Sequence, residues 1–229
     1  MKKGNRLLLL FLLLFAAGIG FTDKMLAVQY RHIDLNDPYK NFSAVTIQPF
    51  RVLAIRGGNG YIVRVMQGDS FRVMLMNSRK PFFRLAQRAD TAFIRFSVAN
   101  QQYQSPEECT TGLIITVPNL AALRLSGINC DLSGLRQDGL RIAQQDRSLL
   151  RMKKIHVERL SLQSSGSSAT FFQGDNQTGT LRLDLAGASS ADLGSLHSTS
   201  IFPHLRDDSR LSVTASSLTQ LKPDEAPNP

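Results

Sequence analysis

The sequence has few cysteines and no long run of like charges. It contains no tryptophan and only two cysteines, Cys109 and Cys130. Two cysteines are too few for a zinc site of the four-cysteine type, so that class of site is excluded. No run of five or more like charges occurs, which argues against a nucleic-acid partner. We therefore expect neither a metal nor a cofactor.

The two cysteines lie 21 residues apart, with Pro118 and Asn119 midway between them. Outside the cytoplasm, two cysteines in one chain can pair. Either a hairpin or an offset of one coil would bring Cys109 and Cys130 together. Because geometry decides whether a disulfide forms, two hypotheses stay open: a Cys109–Cys130 disulfide, or two buried free thiols.

Long apolar runs are confined to the N-terminus. After Lys2, Lys3 and Arg6, residues 7–21 form an unbroken apolar run of 15 residues, LLLLFLLLFAAGIGF. Fifteen helical residues rise about 22 Å, which is less than the ~30 Å of a bilayer core. This length predicts a signal peptide, although no small-x-small cleavage site follows the run, so an uncleaved membrane anchor is the alternative.

The basic flank keeps the N-terminus cytoplasmic and places the remainder outside in either case. We therefore expect an exported chain, periplasmic or at the cell surface, with membrane attachment through residues 7–21 if the segment is not cleaved. The predicted organisation is a signal peptide or anchor over 1–24, a lead-in segment over 25–41, a folded domain over 42–221 and a disordered tail over 222–229.

The rest of the chain lacks helical patterning. No stretch of ten or more residues beyond the N-terminal run shows an apolar stripe of period 3.6. Short apolar alternations broken by Gly, Asn, Ser and Pro predict an all-β domain instead. Val52–Arg56 and Tyr61–Met66 flank Gly57-Gly58-Asn59-Gly60, which predicts an N-terminal β-hairpin. Further strands are predicted at 71–76, 92–98 and 113–117.

A repeat occupies residues 121–216. Its segments start 19, 20, 21 and 30 residues apart. The aligned segments are Ala121–Gly127, Leu140–Asp146, Leu160–Gly166, Leu181–Gly187 and Leu211–Ser216. Such spacing predicts a β-solenoid, with small residues at its corners, and the alternative is an antiparallel sandwich. The longer last interval, which contains Pro203, is expected to hold a degenerate coil or a protruding loop.

Stacking of these segments predicts two buried columns, since each segment alternates apolar and polar residues. The first column contains Leu123, Ile142, Leu162, Leu183 and Val213, and the second contains Ala121, Leu140, Leu160, Leu181 and Leu211. The outward positions of the same segments contain one acid, Asp184. That face therefore lacks the paired carboxylates that a glycoside hydrolase needs.

These residues resemble a known family. The strand Ile114–Leu120 (IITVPNL), followed by L-R-L-S-G and by coils that close in S-G or A-G, resembles the GIN-domain family, described as the putative autotransporter adhesin head domain. The resemblance implies a right-handed β-helix-like stack and brings no catalytic residues. The chain departs from the pattern at Gln144-Gln145-Asp146, where no S-G closes the coil.

We expect an exported, non-catalytic β-solenoid module that binds a glycan or an envelope protein. Arg124, Arg141 and Arg182 lie along one predicted outward face and would form its basic binding surface, or would only keep an exposed sheet soluble. The alternative function is a glycan-active lyase or hydrolase whose site lies in the loops.

Overall fold

The chain of 229 residues is described by a computed structural model over residues 3–31, 39–57, 61–97 and 110–222. Two compact units divide it, Met1–Phe42 and Ser43–Pro229. The first unit contains helix α1 (Lys3–Arg31), of 29 residues, which is about 44 Å long. Its window Phe11–Val28 has mean hydropathy 1.7 and none of it is buried. By length and composition α1 fits a signal or an anchor, and it extends past the predicted segment into the lead-in.

The second unit is mostly β, as predicted. Its strands are β1 (Phe42–Val45), β2 (Val52–Arg56), β3 (Tyr61–Gln67), β4 (Arg72–Met76), β5 (Phe83–Arg88), β6 (Thr91–Phe96), β7 (Thr110–Val117), β8 (Ala122–Ser126), β9 (Asn129–Ser133), β10 (Arg136–Gln145), β11 (Leu149–Lys153), β12 (His156–Ser164), β13 (Ala169–Gln173), β14 (Asn176–Leu185), β15 (Ser190–Asp192), β16 (Leu196–Leu205) and β17 (Arg210–Ser212). A 3₁₀ helix (Asn77–Phe82) precedes β5, and helix α2 (Ala215–Leu218) follows β17.

The strands form two sheets. One has the order β1-β4-β7-β3-β9-β11-β13-β15-β17 and the other β16-β14-β12-β10-β8-β2-β6-β5. From β8 onward, successive strands alternate between the sheets, and each strand up to β15 pairs in parallel with the strand two places further along the chain. The buried side chains of both sheets form one core cluster.

The first predicted buried column is confirmed over four strands. Its residues pair in the order Leu123, Ile142, Leu162 and Leu183, and each is at most 2 % exposed. The fifth place was predicted wrongly. Pro203 of β16, and not Val213, lies opposite Leu183.

The predicted fifth segment fails because it lies in the other sheet. Leu211 belongs to β17 and pairs with Ala191 of β15. In the second column, Ile201 takes the place assigned to Leu211 and lies opposite Leu181. Ala121 was also placed wrongly, since it precedes β8 and is exposed. The long last interval holds the extra strand β16, and alternation alone could not show which of two sheets a strand joins.

The predicted N-terminal hairpin is wrong. β2 pairs with β6 and β8 in the eight-stranded sheet, whereas β3 pairs with β7 and β9 in the other. Gly57, at φ +76°, ends β2 at a corner between sheets, and residues 58–60 lie outside the described residues. Parallel pairing lets both strands bury one face in a shared core, which an isolated hairpin could not do. The hairpin in this region joins β5 and β6.

Three glycines that follow strands of the eight-stranded sheet adopt the left-handed conformation expected of tight corners. Gly127, Gly166 and Gly187 have φ of +61°, +70° and +66°. Where the family pattern breaks, Asp146 takes the same corner position at φ +59°, and its backbone contacts the positions of Gly127 and Gly166. Aspartate tolerates this left-handed conformation better than most residues. The corner therefore survives without glycine.

Candidate functional site

Arginines from three adjacent strands converge on the outer face of the eight-stranded sheet. β2 reads V-L-A-I-R and β6 reads T-A-F-I-R, so alternation buries the isoleucines and points Arg56 and Arg95 outward. The two arginines pair in register, and Arg84 of β5 pairs with Arg95 from the other side. All three are exposed. Neighbouring strands lie about 4.8 Å apart, so three guanidinium-bearing side chains start within ~10 Å.

A groove of about 650 Å³ runs from this point across the sheet. We call it the arginine trough. It crosses β6, β2, β8, β10, β12 and β14, which span five strand spacings, or about 24 Å. Arg56, Arg95 and Arg124 line its first end, and Asp184 and Arg206 line its other end. Small side chains such as Ala54 and Ala143 leave the floor of the trough open. The other outward side chains between its two ends are Ser126, Gln145, Gln163, Ser165 and Ala186.

The two ends of the arginine trough differ in charge. At the far end, Arg206 Nη2 donates to Asp184 Oδ1 at 2.8 Å, and this hydrogen bond raises the pKa of the Arg206 guanidinium. At the first end, none of the described carboxylates forms an ion pair with Arg56, Arg95 or Arg124. Like charges on directly opposed strand positions destabilise a sheet, so the pairing of Arg95 with Arg56 and Arg84 costs stability.

One acid lies at the border of the arginine trough. Asp146, at the corner after β10, accepts a hydrogen bond from Ser126 Oγ at 2.7 Å. Ser126 pairs with Arg56 across the β8–β2 ladder, which places Asp146 on the far side of Ser126 from that arginine. The middle of the trough therefore combines hydroxyl and amide groups with little net charge.

The predicted basic residues are brought to one sheet face but not to one cluster. Arg124 lines the arginine trough. Arg141 and Arg182 share another column, in which Ser161 separates them, and they do not line the trough. The Arg182 guanidinium lies 5.7 Å from the ring centre of Phe202. Only the repeat after residue 120 was aligned, so Arg56, Arg84 and Arg95 were not predicted. The shared ending Ile-Arg of β2 and β6 could have indicated Arg56 and Arg95.

A second groove of about 570 Å³ lies on the same sheet, near the starts of β10, β12 and β14. It contains two acids on adjacent strands, Asp138 of β10 and Glu158 of β12. They lie between two pairs of opposed residues, Gln137–Val157 and Gly139–Arg159. Both are exposed. A Cβ on Gly179 would collide with the Glu158 carboxylate, so the missing side chain leaves room for that group. The prediction that this face lacks paired carboxylates rested on the aligned segments and is wrong here, because Asp138 and Glu158 lie before those segments.

Within the described residues, no group of three or more His, Cys, Asp or Glu side chains could hold a metal ion. The acid pair has one neighbouring ion pair, in which His156 Nε2 lies 3.7 Å from Asp175 Oδ2. Two exposed carboxylates are fewer ligands than a calcium site uses.

Cys130 is fully buried in β9 between Val63 and Leu150. Burial, reinforced by the neighbouring Asp131, raises the pKa of its thiol, so the thiol stays protonated. Cys109 lies outside the described residues, and the Cys109–Cys130 disulfide remains a prediction.

We predict that Cys130 does not react with a thiol-specific reagent in the folded protein and reacts once urea unfolds the chain, because the thiolate is the nucleophile. Mass spectrometry after alkylation under non-reducing conditions measures this. Fast labelling of native Cys130 would contradict the prediction, whereas failure to label it in urea without a reductant would show the disulfide. A Cys109→Ser variant separates the two thiols.

Residues 53–218 match the family described as "Putative auto-transporter adhesin, head GIN domain". The chain belongs to this family. The match includes β3 to β17, most of β2 and the arginine trough, and the sequence resemblance is thereby confirmed.

Solved structures similar to this GIN-domain chain include a putative lipid binding protein from Parabacteroides distasonis ATCC 8503, with TM-score 0.46, 10 % identity and coverage of 75 % of this chain and 80 % of that one. A putative adhesin from Bacteroides fragilis NCTC 9343 has TM-score 0.42, 10 % identity and coverage of 75 % and 93 %. At these scores the likenesses carry no argument about function. A comparison with curated proteins finds no match.

Proposed function

We propose that this protein is an exported, non-catalytic binding module that holds an anionic glycan along the arginine trough. One observation carries the proposal: Arg56, Arg95 and Arg124 converge at one end of a groove, and none of the described carboxylates pairs with them. Guanidinium groups bind carboxylate, sulfate and phosphate groups in a bidentate manner and stay charged at every physiological pH.

The shape of the arginine trough supports an extended ligand. Its length of about 24 Å and its floor on an open sheet face fit a linear polymer better than a compact small molecule, which proteins enclose in a pocket. Family membership supports a binding role, because the family description names an adhesin head domain.

We also propose that the two-sheet stack is a right-handed β-solenoid placed outside the cytoplasm, in the periplasm or at the cell surface. Alternation of strands between the sheets and parallel registers over five strands of the eight-stranded sheet support the solenoid. The apolar helix α1 supports export, whether it is cleaved or retained as an anchor.

The double variant Arg56→Glu/Arg95→Glu tests the function. We expect the wild-type protein to bind polygalacturonate, and the variant to bind it at least tenfold more weakly, because each charge-assisted hydrogen bond contributes about 1.5–3 kcal/mol and 1.4 kcal/mol is tenfold. Binding should also weaken as salt screens the charges. Isothermal titration calorimetry measures both effects.

Arg141→Glu/Arg182→Glu is the matched control, since it reverses the same charge on the same sheet outside the arginine trough. A much smaller loss is expected for it. Equal losses of affinity in the two double variants would mean that binding depends on net charge alone, and would reject the trough as the site. Absence of wild-type binding to both polygalacturonate and heparin would reject the function.

A glycan-active enzyme is the second candidate, because Asp138 and Glu158 lie on adjacent strands of the second groove. Paired carboxylates perform glycoside hydrolysis when one is held as the acid in an apolar site. Both acids here are exposed, which favours the binding function. Incubation with polygalacturonate and assay of new reducing ends tests the alternative: release of fragments that Glu158→Gln abolishes would establish an enzyme.

A further inference from the structure

The outer face of β6 carries an aromatic side chain beside the arginines. Phe93 is 40 % exposed, which is high for a phenylalanine in a strand that is paired on both sides. Its partners in the adjacent strands are Ala54 of β2 and Ala86 of β5. Both neighbours are alanines, so no large side chain lies beside the Phe93 ring at the paired positions. Phe93 also lines the arginine trough.

Arginines surround this ring. Arg95 follows two residues later on the same face of β6, and it pairs with Arg56 and Arg84 on the two sides. Arg124 pairs with Ala54, the residue that lies opposite Phe93. An exposed apolar surface is thus bordered by cationic groups that have fixed positions on strands.

Charge along the arginine trough is uneven. The guanidinium groups are concentrated at the Phe93 end, whereas Gln145, Gln163, Ser126 and Ser165 line the middle and the Asp184–Arg206 ion pair closes the far end. A polymer with an anion on every unit would find cationic partners at one end only. Neutral amide and hydroxyl groups fit the hydroxyl groups of neutral sugars by direct or water-mediated hydrogen bonds.

We infer that the arginine trough recognises an oligosaccharide in one orientation. An acidic sugar ring stacks its C–H face on Phe93 and places its carboxylate or sulfate on Arg56, Arg95 and Arg124. Neutral sugars extend from it over the Gln and Ser side chains towards Asp184. This inference rests on the proposed function and adds the ligand's charge pattern and the role of Phe93. An aromatic ring offers apolar contact to the C–H groups of a sugar without competing for its hydroxyl groups.

The test compares three probes on the full chain in detergent: a neutral cello-oligosaccharide of four rings, the same oligosaccharide ending in glucuronate, and tetragalacturonate. The wild-type protein is expected to bind the singly acidic probe at least tenfold more tightly than the neutral one, and no more weakly than tetragalacturonate. Phe93→Ala should weaken the singly acidic probe about fivefold or more, and Phe93→Tyr should retain binding. Microscale thermophoresis measures all three probes.

Phe202→Ala is the matched control, because Phe202 lies on the same sheet beside Arg182 and outside the trough. Tight binding of tetragalacturonate with equal affinity in the Phe93→Ala and Phe202→Ala variants would overturn the inference and leave the proposed function intact. Absence of binding to both acidic probes would overturn the inference, and absence of binding to heparin as well would reject the proposed function. Single-stranded oligothymidylate and anionic lipid vesicles are further probes; tighter Phe93-dependent binding of either would assign the site to bases or to lipid and overturn the sugar.

Discussion

Replacing Leu162 with alanine is expected to destabilise the β domain by about 3 kcal/mol, because buried leucine-to-alanine changes remove apolar contacts and leave a cavity that the surroundings fill only in part. Leu162 is fully buried in β12. It lies between Ile142 of β10 and Leu183 of β14, so its side chain contributes to the stacking of three consecutive strands of the eight-stranded sheet. Urea unfolding followed by circular dichroism measures the change.

The control for this prediction is Ser161→Ala, at the preceding and outward-facing position of the same strand. We expect it to change the free energy of unfolding by less than about 0.5 kcal/mol, as surface substitutions usually do. A Leu162→Ala midpoint within error of the Ser161→Ala midpoint would mean that the column through Leu162 is not part of the core.

Replacing Asn176 with alanine is expected to cost about 2–4 kcal/mol, because it leaves several buried backbone groups without partners. Asn176 is fully buried at the start of β14. The Ile155 N–H donates to its Oδ1 at 3.1 Å, and its Nδ2 donates to the Gln173 carbonyl at 3.0 Å. Its amide thus joins the corner before β12 to the corner before β14.

Gln177→Ala is the matched control, since Gln177 is the exposed neighbour of Asn176 and its side chain donates a hydrogen bond to the carboxylate of Asp175. We expect a change below about 0.5 kcal/mol for it in the same unfolding experiment. Amide hydrogen exchange adds a local measurement, in which the Ile155 amide should exchange faster in Asn176→Ala. Unchanged protection of that amide would contradict the role assigned to Asn176.

The buried columns could be predicted from the sequence because they depend on a local property. A residue in a strand faces the side opposite to its neighbour, so alternation in L-R-I-A and L-S-L-Q identifies Ile142 and Leu162 as buried without knowledge of their partners. The spacing of 19–21 residues then aligns the segments. The prediction failed for Leu211, since an alternating segment is equally acceptable to either sheet.

The arginine trough could be predicted only in part. Arg124 was found because it lies in the aligned repeat. Arg56 and Arg95 were missed because β2 and β6 precede the repeat and are separated by 39 residues, so their adjacency depends on strand pairing over a long distance. Asp138 and Glu158 were missed for a related reason: they lie before the aligned segments, where positions 158 and 159 are both exposed and interrupt the alternation.

Composition and the periodicity of neighbouring residues were enough to predict the apolar N-terminal helix, the β-rich domain, the spacing of its repeat and the buried column from Leu123 to Leu183. The adjacency of the strands came only from the fold, and with it the placement of Arg56, Arg95 and Arg124 near Phe93 at one end of the arginine trough. The physical reason is that a side chain's orientation in a strand is local, whereas the neighbours across a sheet are chosen by burial of the whole core.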